Sequence, residues 1–76
     1  MITQNVSNSP KDFLINFGKA VKSERLIRKL TQKELAIKVG VSHEWICKIE
    51  KGKVNTISLN LIQKIKDILD IQNLKL

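Results

Sequence analysis

Several residue types are scarce in this 76-residue chain: one cysteine, one histidine, one proline, three glycines, two phenylalanines, one tryptophan and no tyrosine. A single cysteine, Cys47, excludes an internal disulfide and fits a reducing compartment, so a cytoplasmic location is expected. With His43 as the only histidine, the chain cannot by itself assemble a tetrahedral zinc site. A Cys–His nucleophile would lack an orienting partner and a pocket. No glycine-rich phosphate loop is present. The expectation is therefore no enzyme, no metal and no cofactor. No apolar run approaches the roughly 18 residues that cross a bilayer. The start, MITQNVSNSP, has neither the basic opening nor the apolar centre of a signal peptide. Acid is scarce too. Seven Asp and Glu face fourteen Lys and Arg, a net charge of +7, which favours a polyanionic partner. Composition leaves nucleic acid and an anionic membrane surface both open.

The order of residues is more informative. Residues 31–52 read TQKELAIKVGVSHEWICKIEKG. Thr31 and Glu34 have the spacing of a capping box, in which each side chain takes up a free backbone N–H at a helix start. Leu35, Ala36 and Val39 form an apolar stripe at helical spacing. Gly40 can adopt the left-handed conformation that stops a helix. Val41 crosses the turn and Ser42 caps a second helix, with Ile46 and Ile49 as its buried side and Gly52 as its stop. Two short helices around a glycine turn are the grammar of a helix-turn-helix.

The wider segment VKSERLIRKLTQKELAIKVGVSHEWICKIEKG resembles the Cro/phage-repressor helix-turn-helix family, also called XRE-type. The matching positions are Arg25, Leu30, Thr31, Gln32, Glu34, Leu35, Ala36, Val39, Gly40, Val41, Ser42, Ile46, Ile49, Glu50 and Gly52. With flanking helices the similarity covers roughly residues 17–71. It implies an all-α fold, a compact bundle of four to five helices of the lambda-repressor-like kind. Its function would be a transcriptional regulator binding double-stranded DNA, usually as a homodimer. Lys29 departs from the family pattern, which places glycine there.

The flanks extend this reading. Residues 1–9 are expected to be a flexible segment and 10–76 one domain, with the helix-turn-helix core at 31–52. Ser9-Pro10 is a helix start, and helix 1 is expected over about 10–28 with Phe13, Phe17, Ala20 and Val21 buried. Gly18 inside it marks either a close helix approach or a break. Residues 53–57 form a loop. Ser58 caps a last helix over 59–69, whose apolar face would be Leu59, Ile62, Ile65, Ile68 and Leu69, with Leu61 off the stripe.

A wheel at about 100° per residue with Ile46 inward puts Ile49 and Glu50 on the inner side. Glu44, Cys47, Lys48 and Lys51 fall opposite, with His43 at the edge. His43, Glu44, Cys47 and Lys48 are therefore the candidate base contacts. Lys48 can donate to guanine, Glu44 can accept from cytosine N4, and Cys47 suits a thymine methyl. His43 can donate to a base or phosphate acceptor. Gln32, Ser42, Lys51, Lys53 and Asn55 are candidate contacts to the DNA backbone; the resemblance gives Gln32 a clamping role. It also implies that Arg25 and Glu50 form a structural ion pair. Trp45, between the two faces, reads as packed over the turn or a neighbouring helix; the alternative sets it against the sugar-phosphate backbone or a thymine methyl. Ile68, Ile71, Leu74 and Leu76 are dimer-interface candidates; alternatively, they close the monomer's own core. A rival from another class is an antitoxin, whose main partner is a toxin protein and which uses the same helix pair for autoregulation.

Overall fold

The computed structural model describes residues 10–71. The expected flexible segment 1–9, with the cap candidate Ser9, and the dimer candidates Leu74 and Leu76 lie outside them. Four helices form among the described residues: α1 Pro10–Ile27, α2 Gln32–Val39, α3 His43–Glu50 and α4 Leu59–Leu69. No helix among them is long and apolar enough to cross a membrane.

Side-chain caps start three of these helices. Thr31 accepts from the Glu34 N–H at 2.9 Å while Glu34 accepts from the Thr31 N–H at 2.8 Å, the complete capping box. Ser42 accepts from the Trp45 N–H and Ser58 from the Leu61 N–H, each at 3.1 Å. Each such cap contributes about 1 kcal/mol.

The helix ends share one device. Lys29, Gly40, Gly52 and Asp70 all take positive φ, at 58°, 85°, 70° and 56°. After α1, the Leu30 N–H reaches back to the Arg25 carbonyl and the Lys29 N–H to the Leu26 carbonyl, both at 3.0 Å. This is a Schellman closure, and it satisfies carbonyls that the helix leaves free. Two of the four left-handed positions carry a Cβ. Lys29 bears the greater strain, because a short polar side chain such as Asp70 tolerates that conformation better than a long one.

Helix α3 packs on α1 and α2, and α4 closes the other side of both. Phe17, Val21, Leu35, Val39, Ile46, Ile49, Ile65 and Leu69 are completely buried at the centre. Each large aliphatic buried there contributes about 1.5–3 kcal/mol. Leu14 and Val54 join this core; Leu14 shares a helix face with Phe17 and Val21, and Val54 folds in from the loop. Phe13 and Ala20 are only half-buried. Leu59 is a correction. It fits the apolar stripe by spacing, yet it is 80% exposed, because it opens α4 before the helix reaches the core. Leu61, off the stripe, is half-buried against the core.

Gly18 resolves into a close approach. A Cβ there would stand 2.0 Å from the Ile49 carbonyl oxygen, backbone that cannot move aside without shifting α3. Helix propensity alone favours alanine over glycine by about 1 kcal/mol. Steric conflict wins at this site, so Gly18→Ala should lower stability by about 1–3 kcal/mol; a melting temperature at or above that of the parent would contradict the packing. Lys29→Gly should do the reverse, raising the melting temperature by up to about 6 °C through relief of roughly 1 kcal/mol of backbone strain, with DNA affinity unchanged. A lower melting temperature would refute the strain.

Candidate nucleic-acid interface

Ile46, Ile49 and Glu50 face the interior from α3, whereas His43, Glu44, Lys48 and Lys51 stand exposed. The inward row anchors the helix in the core and leaves its other side open. Cys47 is half-buried at the boundary. Among the described residues neither Glu44 nor Lys48 enters an ion pair, so the i,i+4 pairing open to them is not formed.

Behind this row lies a chain of hydrogen bonds that begins in the core. The Arg25 Nε donates to Glu50 Oε2 at 2.7 Å, and its Nη2 to Glu50 Oε1 at 3.0 Å. Arg25 Nη1 donates to the Leu30 carbonyl at 2.7 Å, holding the turn that follows α1. Both residues are buried, with only 8% and 2% of their side chains exposed. Hydrogen bonding to Glu50 raises the Arg25 pKa above its already high ordinary value; burial opposes that shift and the Glu50 charge adds to it. The implied ion pair is thus present and fork-like.

Glu50 has a third donor. Gln32 Nε2 reaches its Oε1 at 3.0 Å. At the other end of the same amide, Gln32 Oε1 accepts from the Cys47 thiol at 3.0 Å and lies 3.3 Å from His43 Nε2. Cys47 Sγ and His43 Nε2 are 3.5 Å apart. The structure therefore brings Gln32, His43 and Cys47 together at one end of the exposed row. The spacing of His43 and Cys47, four apart on one helix, already makes them neighbours; Gln32 joins them only once the turn between α2 and α3 is folded.

The remaining candidates flank the row. Ser42 is exposed and its Oγ caps α3, which leaves its hydroxyl proton able to donate outward. Lys51 is the C-cap residue of α3, and Lys53 and Asn55 are exposed in the loop beyond it. Asn55 also borders a small cleft with Phe13, Leu14 and Leu59. Trp45 is half-buried and packs on the core. Ile68 and Ile71 are half-buried against the same core, and Ile68 lines a shallow groove with Arg28, Leu30 and Lys38. Arg28 is itself paired with Glu24 at 2.6 Å. Among the described residues no group of three or more His, Cys, Asp or Glu side chains is placed to hold a metal ion.

Known proteins give two points of comparison. The profile of a family described as helix-turn-helix matches residues 21–72. Among solved structures, the fold is similar to the restriction-modification controller protein C.AhdI from Aeromonas hydrophila. The two share 31% identity and a TM-score of 0.72, over 82% of this chain and 88% of that one. No curated protein matches the chain in sequence.

Removing the Glu50 carboxylate would leave Arg25 charged and buried with its main partner gone. Glu50→Ala should cost about 3–5 kcal/mol, enough to unfold much of a domain this small. A loss below about 1 kcal/mol in denaturant titration would mean that the pair behaves as an exposed one.

Proposed function

This chain belongs to the XRE-type helix-turn-helix family and carries its all-helical DNA-binding domain; we propose that it is a sequence-specific transcriptional regulator that binds operator DNA with α3 in the major groove. One observation carries the reading. The exposed side of α3 presents a compact polar row, His43, Glu44 and Lys48, on a helix whose other side is locked into the core. A net charge of +7 supplies attraction for phosphates.

In this reading His43, Glu44, Cys47 and Lys48 meet base edges. The second N–H of Gln32, together with Ser42, Lys51, Lys53 and Asn55, meets the backbone. Phosphate contacts position the protein and base contacts specify the site. Glu44 is repelled by phosphates, and Lys48 does not neutralise it, so its place in the row is explained by discrimination. The chain acts as a twofold dimer, through the half-buried Ile68 and Ile71 and the residues beyond them, on a palindromic site with recognition helices about 34 Å apart. The likeness to a restriction-modification controller protein favours a regulator over an antitoxin. No unrelated chain should then co-purify with it.

Selection of bound sequences from random duplexes tests all of this at once. The expected result is a palindromic consensus, and the absence of any preference at moderate salt would refute the proposal. Lys51→Ala should weaken binding evenly across sequences and reduce the log–log salt slope by about 1. Glu44→Ala should strengthen non-specific binding while losing about 1–3 kcal/mol of discrimination at one base pair. A monomeric mass at micromolar concentration, with DNA bound, would remove the dimer.

A further inference from the structure

We infer that Gln32 sets the hydrogen-bonding polarity of His43, holding the neutral imidazole with its proton on Nε2 and leaving Nδ1 as an acceptor for the base edge. The inference rests on the regulator reading for its DNA half and on the chain's own geometry for the rest.

The polarity can be followed outward from the core. Arg25 has only donors, so both Glu50 oxygens are engaged as acceptors. The Gln32 end that lies 3.0 Å from Glu50 Oε1 must then be its NH2 group, because a carbonyl oxygen there would face a carboxylate. That choice fixes the opposite end as Oε1, which only accepts. Facing it at 3.3 Å is His43 Nε2. A nitrogen lone pair aimed at a carbonyl oxygen is repelled, whereas an N–H aimed at it is a hydrogen bond. Cys47 donates its thiol proton to the same oxygen at 3.0 Å, closer than the 3.5 Å between its sulfur and Nε2, so the thiol does not supply the donor that a bare Nε2 would need. In the neutral ring only one nitrogen carries hydrogen, and Nδ1 is left with its lone pair.

The consequence concerns which bases His43 can read. An acceptor in the major groove matches an exocyclic amino group, adenine N6 or cytosine N4. It does not match the N7 and O6 acceptors of guanine. Gln32 thereby acts as a positioning residue for specificity through a side chain other than its own.

Two measurements test this. Nitrogen-15 spectra of the histidine ring in the full chain, recorded on the neutral form, should show Nε2 protonated and Nδ1 bare. Gln32→Leu should shift the ring toward the mixed tautomers of free imidazole. Cys47→Ala, which keeps Gln32, should leave the pattern as in the parent. A ring protonated on Nδ1 in the parent, or a mixture unchanged by Gln32→Leu, overturns the inference, and the first of these does so even if the leucine variant fails to fold. In selection from random duplexes, the base pair whose preference is lost in His43→Ala should present adenine or cytosine to α3, with a loss of about three- to ten-fold; guanine at that place overturns the base assignment. No preference for any duplex, beside an Nε2-protonated spectrum, would overturn the regulator reading and its base assignment while upholding the tautomer.

Discussion

The buried pair of Arg25 and Glu50 ties together elements that would otherwise meet only through apolar contact. Arg25 is on α1, Glu50 ends α3, and a third guanidinium nitrogen holds the Leu30 carbonyl in the turn leading to α2. Taking two charges out of water is expensive, and hydrophobic replacements of similar volume are often as stable. The geometry here answers that cost with four short hydrogen bonds, counting the one from Gln32. What the pair adds over an apolar contact is direction. Leucines can slide past one another; a forked arginine on a carboxylate has one good register. Beside it, Gly18 lets the α1 backbone approach the Ile49 carbonyl, so the pair and the glycine fix the same crossing from two sides.

That fixed crossing matters because α3 is short. Eight residues give about two turns, too few to be stable in water without tertiary support. Its N-terminus is tied by Ser42, its C-terminus by the left-handed Gly52, and its inner side by Ile46 and Ile49. Helix α2, also eight residues, is bounded in the same way by Thr31 and Gly40. Rigidity of the helix pair therefore comes from its ends and its buried side, and leaves the outward side free to vary in chemistry.

Much of this was legible in the residues. Caps at Thr31, Ser42 and Ser58 announce helix starts because a hydroxyl at that position has one obvious use. Gly40 and Gly52 announce ends for the same local reason. The left-handed turn at Lys29 was legible only as a departure from a pattern, since lysine carries no conformational signal of its own. Leu59 misled because periodicity records spacing along one helix and is blind to where that helix first touches its neighbours. Val54 was missed because a loop has no period. The Gln32–His43–Cys47 cluster was out of reach for a deeper reason: Cys47 and His43 are four apart and visibly neighbours, but Gln32 joins them only through tertiary folding across the glycine turn.

The same cluster links the core to the exposed row of α3. A change in the core at Glu50 would release Gln32, and a released Gln32 no longer orders His43 or Cys47 on the exposed side. On the proposed reading, base preference is then a property of more than the side chains of the exposed row; it reaches back through one amide to a buried carboxylate. The outermost residues, Glu44 and Lys48, have no such tether and are free to be exchanged with little effect on the fold. Within one short helix, His43 and Cys47 are tied to the interior through Gln32, whereas Glu44 and Lys48 stand exposed without such a tie.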